Sequence, residues 1–246
     1  MNILNIEHIN KIYGDKIIFD DISCGIQQGE KIGIIGVNGT GKTTLLRVIA
    51  GEEEPDEGQV ITQNGIRISW LPQTPEFPDH MTILDYVAEG KWQKDWSTES
   101  EARRMLNDLG ITDQSGTMDT LSGGEKKLVS IATILSMMPE VLLMDEPSIA
   151  LDPRNRRSLI HILNSLDQPK IIASHDLDMI WDTCPRTILL SDGEIVCDGA
   201  TEEILCDREL LESNGLELPL GMQKIVTVQP APFAKTPDGV FPLLRS

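Results

Sequence analysis

The chain has 246 residues, of which 40% are apolar and 24% are charged, a composition typical of a globular domain with a sizeable core. Its formal net charge of −18 argues against binding to nucleic acid or anionic lipid through overall charge. The apolar runs are too short to span a bilayer, and the first residues lack the pattern of a signal peptide. Together with four scattered cysteines and no CxxC pair, these features predict a cytosolic chain with reduced thiols.

The first third of the chain predicts strands, a glycine-rich loop and a helix. Strands are predicted at residues 3–9, 17–26, 31–36 and 66–71, with turns at 14–15 and 55–58. Apolar residues recur with helical spacing over 42–50, and Gly51 is suited to end that helix. A strand, a glycine-rich loop and a helix in this order are the context that a phosphate-binding loop requires.

Residues 76–120 change in character and carry dense charge, and residues 76–138 are predicted to form a helical insertion. Helices are predicted there at 82–90 and 98–109, with Thr82 and either Ser97 or Thr98 as N-caps. Strand patterns then return at 141–145, 170–174 and 186–190, with a helix at 154–166 between the first two. Strands that alternate with helices favour a parallel sheet. Four prolines in the segment 229–246 predict an irregular tail.

The glycine-rich loop has a chemical pattern of its own. Residues Gly36–Thr43 match G-x-x-x-x-G-K-[ST], in which glycines let main-chain N–H groups turn inward around phosphate oxygens. Lys42 can reach the β- and γ-phosphates of a nucleotide, the Thr43 hydroxyl can ligate Mg²⁺, and the positive end of the following helix favours the anion. The predicted nucleotide-binding residues of this loop are Gly36, Asn38, Gly39, Thr40, Gly41, Lys42, Thr43 and Thr44.

Two adjacent acids, Asp145 and Glu146, stand at the C-terminal end of an apolar strand. Open α/β sheets bind ligands at that end, and adjacent side chains point to different sides, so the two acids can have different tasks. We predict that Asp145 holds Mg²⁺ through water. We predict that Glu146 orients or deprotonates the water that attacks the nucleotide.

A second anion site is predicted at Ser122–Glu125, where a hydroxyl and two glycines open a helical stretch. A chain with one phosphate loop does not need two sites for a γ-phosphate. The economical explanation is a dimer in which the second site of each chain covers the nucleotide bound to its partner.

With these motifs in this order, the chain resembles an ABC-transporter nucleotide-binding domain over about residues 1–222. The resemblance implies that Tyr13 stacks on adenine, that Gln73 senses Mg²⁺ and the membrane partner, and that His175 contacts the γ-phosphate. It identifies residues 36–44 as the Walker A loop, Ser122, Gly123, Gly124 and Glu125 as the signature, Asp145 and Glu146 as the Walker B aspartate and catalytic glutamate, and Asp152 as part of the D-loop. The implied Mg²⁺ ligands are Thr43, Gln73 and Asp145, and the implied catalytic residues are Glu146, His175 and Gln73.

The resemblance also implies an architecture and partners. We expect an α/β fold with a RecA-like core (1–75 and 139–205), an N-terminal antiparallel layer, a helical subdomain (76–138) and a C-terminal extension (206–228). The expected ligands are ATP and Mg²⁺. The expected partners are a second copy or a paralogous ATPase subunit and transmembrane permease subunits, with no nucleic acid. These partners imply a cytoplasmic chain held peripherally at the inner face of the cell membrane.

Two positions depart from the family pattern. Glu125 replaces the commonest glutamine, and acidic versions are familiar in the family. Leu128 occupies a position where the pattern usually has arginine, and losing that charge is expected to weaken an internal ion pair or the coupling of the signature helix, without removing a phosphate ligand.

The two halves of the chain resemble different relatives. Residues 3–120 are similar to the ABC-F proteins that act on ribosomes, and residues 121–222 to the ATPase of cobalt- or nickel-type energy-coupling-factor importers. The importer ATPase is the favoured interpretation, because the chain has one ATPase domain, no room for a long charged arm and no large basic patch. The ABC-F reading remains the alternative. A non-transport assembly or repair ATPase is a third possibility, although its usual coiled-coil or hook insertion is absent from the sequence.

Overall fold

In the computed structural model, the described part of the chain comprises residues 2–75, 77–78, 80–90 and 97–223, with the backbone of 235–236 and 239–240. Its strands are β1 (Asn2–Tyr13), β2 (Lys16–Gln27), β3 (Lys31–Ile35), β4 (Glu57–Thr62), β5 (Ile68–Leu71), β6 (Val141–Asp145), β7 (Lys170–Ala173), β8 (Arg186–Ser191), β9 (Glu194–Ala200), β10 (Lys235–Thr236) and β11 (Gly239–Val240). Its α-helices are α1 (Lys42–Ala50), α2 (Ile83–Glu89), α3 (Thr98–Asp108), α4 (Gly123–Ser136), α5 (Pro153–Ser165), α6 (Leu177–Thr183), α7 (Thr201–Cys206) and α8 (Arg208–Ser213). Short 3-10 helices lie at Met118–Thr120 and Leu220–Met222.

A sheet with the strand order β5-β6-β7-β3-β8-β9 forms the centre of the molecule. Its first five strands run parallel, and β9 pairs antiparallel with β8 at one edge. The central strands β3, β6 and β7 are buried almost throughout, as expected for a sheet covered on both faces. The predicted α/β fold with a parallel sheet is confirmed. The edge strand β9 was not predicted, because its residues alternate between exposed and half-buried positions and form no apolar run.

Alternate side chains of the central strands supply two apolar cores, one on each face of the sheet. Leu142 and Met144 of β6 join the core that includes residues of α4, α5 and α6. Val141 and Leu143 join the core that includes residues of α1 and the N-terminal strands. The strand that ends at the two predicted acids is therefore fixed from both sides.

The N-terminal strands form a separate antiparallel sheet with the order β2-β1-β4, as the resemblance implied. A tight turn at Gly14–Asp15 joins β1 to β2, and Tyr13 pairs with Lys16 beside it. The strand β4 was not predicted, because five of its six residues are exposed and give no apolar pattern.

Helices α2, α3 and α4 lie between β5 and β6, within the predicted insertion 76–138. Thr82 caps α2 by accepting a hydrogen bond from the Asp85 N–H at 3.1 Å. Ser97 is the N-cap residue of α3, and its hydroxyl donates to Glu101 at 3.0 Å. The insertion thus packs its apolar faces against the central sheet through the core shared with Leu142.

The C-terminal part of the described chain continues from β9 into α7, α8 and the 3-10 helix at Leu220–Met222. Most of the proline-rich segment 229–246 lies outside the described residues. Within it β10 and β11 pair antiparallel. The irregular tail stays a prediction. Among the described helices, none is both long and apolar enough to cross a membrane.

Candidate functional site

The glycine-rich loop lies at the C-terminal end of β3 and leads into α1. Gly36 has a φ of 151°, and a Cβ atom there would lie 2.4 Å from the carbonyl oxygen of Leu190. Gly41 has a φ of 96°, and its Cβ would lie 2.6 Å from the ring of Phe19. Both positions therefore require glycine, because a side chain would clash and strain the backbone. The result is a tight loop at the N-terminal end of α1, where an anion is favoured.

Lys42, the first residue of α1, turns back over this loop. Its ammonium donates to the carbonyl oxygens of Gly36 at 2.7 Å and Val37 at 3.0 Å, and the residue is buried. Burial lowers the pKa of Lys42, and the nearby Glu146 and Asp145 carboxylates oppose that shift. The cation is thus held at the mouth of the loop, where phosphate oxygens would compete for its donors.

The two predicted metal ligands Thr43 and Asp145 contact each other, although 102 residues separate them. The Thr43 hydroxyl donates to the Asp145 carboxylate at 2.7 Å, and Asp145 is almost fully buried at the end of β6. Burial raises the pKa of Asp145 above its ordinary value, and the hydrogen bond from Thr43 opposes this shift. A carboxylate and a hydroxyl beside a phosphate site are the oxygen ligands that Mg²⁺ prefers, so these residues fit that ion.

Glu146 is buried and is held by the end of β7. Its carboxylate accepts hydrogen bonds from the Ser174 hydroxyl at 2.9 Å and from the His175 N–H at 3.0 Å. The imidazole Nδ1 of His175 lies 2.8 Å from the same carboxylate. Glu146 itself has a φ of 46°, an uncommon value for a residue with a side chain. The two residues predicted to position water are therefore in direct contact.

A cavity of about 490 Å³ opens between the phosphate loop, the end of β6 and the β1–β2 turn. The predicted residues that line it are Tyr13, Asn38, Gly39, Gly41, Lys42, Thr43, Thr44, Gln73, Asp145 and Glu146. Thr40 turns its hydroxyl to the Val37 carbonyl at 3.0 Å within the loop. Tyr13 is about half exposed, and its hydroxyl donates to Glu53, which fixes the ring beside the cavity.

The four signature residues lie at the start of α4 and do not line this cavity. Ser122 and Glu125 form a capping box, in which the Ser122 N–H donates to Glu125 at 2.9 Å and the Glu125 N–H donates to the Ser122 hydroxyl at 3.3 Å. Hydrogen bonds from Ser122 hold the pKa of Glu125 below its ordinary value. A Cβ atom on Gly124 would lie 2.6 Å from the Ala150 carbonyl oxygen, whereas one on Gly123 would meet nothing within 4 Å.

Asp152 also lies away from the cavity. Its carboxylate caps α5 by accepting from the N–H groups of Arg154 at 2.8 Å and Asn155 at 3.0 Å. A nucleotide-binding role for Asp152 or for the signature residues therefore stays a prediction, which requires a partner chain.

Two lysines at the site were not singled out from the sequence. Lys16 lines the cavity, and its ammonium lies 3.3 Å from the Gly39 carbonyl oxygen. Lys127, on α4, is buried and donates to the main-chain carbonyl oxygens of Gln73 and Asp145. The sequence offered one signal for Lys127, which is its position next to Leu128, where the family pattern usually has an arginine. Leu128 itself packs in the apolar core, and the buried positive charge in this turn of α4 is that of Lys127.

Comparison with known proteins agrees with this geometry. The profile of the family described as ABC transporter matches residues 19–149. A provisionally named ABC transporter ATP-binding protein of Gloeobacter violaceus is 39% identical over 219 residues, which cover 82% of this chain and 90% of that protein. The energy-coupling factor transporter ATP-binding protein EcfA2 of Methanospirillum hungatei is 36% identical over 221 residues, which cover 81% of this chain and 56% of that protein.

A solved structure gives the same answer at the level of the fold. The crystal structure of a nucleotide-free ATP-binding cassette from an ABC transporter has a TM-score of 0.75 and 27% identity to this chain, and the match covers 86% of this chain and 98% of the other. The motifs, their geometry and these similarities agree. The chain therefore belongs to the ABC transporter ATP-binding family, and it is an ATPase.

Proposed function

We propose that this chain is the ATP-hydrolysing subunit of an importer of the cobalt/nickel or energy-coupling-factor type. The observation that carries the ATPase part is the pair of contacts at the cavity, Thr43 with Asp145 and Glu146 with His175. The 36% identity to EcfA2 over 81% of this chain supports the importer type.

The proposed mechanism begins with the phosphates at the glycine-rich loop. Lys42 exchanges the carbonyl oxygens of Gly36 and Val37 for phosphate oxygens, while the N–H groups at the start of α1 face the same anion. Tyr13 stacks on the base at the open side of the cavity. These contacts hold the nucleotide with its terminal phosphate toward β6.

Thr43, Gln73 and Asp145 are the residues that would hold Mg²⁺, which neutralises charge on the phosphates when it is bound. Glu146 then orients and deprotonates the attacking water, and His175, in contact with it, reaches the terminal phosphate. The hydrogen bonds from Ser174 and the His175 N–H keep the Glu146 carboxylate in place.

The proposed active assembly is a head-to-tail dimer, with a second copy of this chain or with a paralogous subunit. Its support is that Ser122, Gly123 and Glu125 start a helix but do not line the cavity of their own chain. In the dimer, the signature of one chain covers the ATP of the other. Closing on ATP and opening after hydrolysis would drive permease subunits through a two-state change, at the inner face of the membrane.

The test of the ATPase mechanism is Glu146→Gln. The variant keeps the size of the side chain but removes the base, so we expect kcat to fall at least about hundredfold. We also expect retained ATP binding and an ATP-trapped dimer in size-exclusion chromatography. The matched control is Glu140→Gln, since Glu140 lies before β6 at the opposite end and pairs with Arg67 at 2.7 Å. If E146Q turns over ATP like the parent chain, the base is another group.

The test of the importer assignment is co-purification. A tagged chain expressed in its native host should retain integral membrane proteins after detergent extraction. Sedimentation with ribosomes, lost at high salt, would contradict the importer assignment and support the ABC-F alternative.

A further inference from the structure

Lys127 lies in the second turn of α4, directly after the signature, and only 3% of it is exposed. Its ammonium donates to the carbonyl oxygens of Pro72 at 3.0 Å, Gln73 at 3.0 Å and Asp145 at 3.2 Å. A lysine ammonium has three donors, so this one has an acceptor for each. The acceptors are main-chain atoms, which means that the contact fixes backbone rather than a mobile side chain.

The three carbonyls belong to two segments of the chain that lie beside the cavity. We call the part of the cavity lined by Gln73 and Asp145, two of the proposed Mg²⁺ ligands, the metal edge. Pro72 and Gln73 follow β5, and Asp145 ends β6, the neighbouring parallel strand. Gln73 and Asp145 both line the cavity. The Lys127 side chain therefore spans from the helix that carries the signature to the backbone of two proposed Mg²⁺ ligands.

Burying an ammonium is costly, and its position here is maintained by good hydrogen-bond geometry and nearby acids. Burial lowers the pKa of Lys127 to about 8, and the Asp145 and Glu146 carboxylates oppose that shift. The adjacent Leu128 packs instead in the apolar core. The contacts made by the charge thus require an explanation beyond packing.

We propose that Lys127 is a positioning residue that joins the signature helix to the backbone at Gln73 and Asp145, so that the placement of the signature depends on the placement of these two residues. This inference rests on the proposed head-to-tail dimer. In that dimer, Gln73 and Asp145 serve the chain's own ATP, whereas the signature on α4 serves the partner's ATP. Lys127 thereby links the two sites, and occupation of one aligns the signature for the other.

The chain offers a matched control for a merely structural role. Lys170 is also fully buried, burial likewise lowers its pKa to about 8, and its ammonium donates to the Leu166 carbonyl at 2.7 Å. It begins β7, at the end of the sheet opposite the cavity. If buried lysines matter here only for stability, Lys127→Met and Lys170→Met should behave alike.

The experiment compares K127M, K170M and the unmodified chain in thermal unfolding, ATP-hydrolysis kinetics and binding of a fluorescent ATP analogue titrated with Mg²⁺. For K127M we expect kcat to fall about tenfold, the Hill coefficient for ATP to approach one, and tight binding to require several-fold more Mg²⁺. We expect analogue affinity at saturating Mg²⁺ to stay within about twofold, because the phosphate loop is untouched. K170M should leave all three site measurements unchanged.

The proposal is overturned if K127M retains kcat, Hill coefficient and Mg²⁺ requirement, or if K170M reproduces its changes. Should K127M fail to fold, K127L, which likewise lacks a donor group, is measured in the same way and read by the same criteria. Failure of the dimer proposal is seen separately, because the unmodified chain would then show a Hill coefficient of one and no ATP-dependent dimer. In that case the shift in Mg²⁺ requirement still decides whether Lys127 positions the metal edge.

Discussion

The phosphate-binding cavity and the signature turn differ in how completely one chain builds them. At the cavity, residues far apart in sequence already contact each other, as Thr43 does with Asp145 and Glu146 with His175. At the signature, Ser122 and Glu125 form hydrogen bonds with each other, and the signature turn does not line the cavity. One chain therefore already brings together the residues that are proposed to hold the metal and to act as the base. In the proposed dimer, the opposite wall is supplied by the signature of the second chain.

The greatest loss is expected from a substitution in the phosphate-binding loop. Lys42→Met removes a cation whose charge-assisted hydrogen bonds to phosphate are each worth about 1.5–3 kcal/mol, so ATP affinity should fall at least about hundredfold. Calorimetric titration with ATP measures it, and circular dichroism checks the fold. Unchanged affinity would mean that the loop does not bind the phosphates as proposed.

The second prediction tests the signature while leaving the phosphate-binding loop unchanged. Gly123→Asp introduces a side chain whose Cβ meets nothing within 4 Å in its own chain, at a helix start where an acid is favourable. We expect unchanged or slightly higher thermal stability, ATP affinity within about twofold, and hydrolysis reduced at least about tenfold by repulsion of the partner's phosphate. Normal hydrolysis in G123D would remove the argument that the signature faces a nucleotide.

A smaller effect is expected at Tyr13, beside which the adenine ring of ATP is proposed to bind. Tyr13→Ala removes the aromatic ring that is proposed to stack on adenine. Such stacking is worth about 1–3 kcal/mol, so KM for ATP should rise about tenfold with kcat nearly unchanged. The control is Tyr13→Phe, which keeps the ring and loses only the hydrogen bond to Glu53. A change in kcat without a change in KM would argue against stacking.

The smallest effect is expected at the capping box that Ser122 and Glu125 form in the signature turn. Hydrogen bonds from Ser122 depress the pKa of Glu125 below its ordinary value of 4.5 in the folded chain. The charged form is thus favoured by folding, and its stabilising contribution is present above pH 4.5 and is lost as the pH falls through the lower folded pKa. The difference in melting temperature between the parent chain and Glu125→Gln should therefore shrink below pH 4.5. A constant difference would show that the charge does not contribute.

The sequence predicted those parts of the site that are formed by residues close together in the chain. The glycine-rich loop and the acids after β6 are short motifs with their own structural context, and the parallel sheet followed from alternating strands and helices. The strand β4 gave no signal, because its side chains are exposed and its partners are supplied by β1.

Lys127 could not be assigned from sequence for a related reason. Its acceptors are main-chain carbonyls 55, 54 and 18 residues away, and a carbonyl is present at every position. The departure at Leu128 drew attention to a missing charge. Only the packing of α4 against the ends of β5 and β6 showed that the adjacent lysine enters the site and that Leu128 enters the core.

The central claim is that each working site combines the phosphate loop of one chain with the signature of another. The most direct measurement mixes K42M, which keeps its signature, with G123D, which keeps its phosphate loop, after the residual rate of each variant alone has been measured. In a head-to-tail dimer, mixed pairs contain one intact site, so hydrolysis should rise above the residual rates of both variants, with an upper limit of about a quarter of the parent rate for random pairing when the intact site works at its full rate. A mixture that stays as inactive as its components, in chains that fold and exchange partners, would contradict the account.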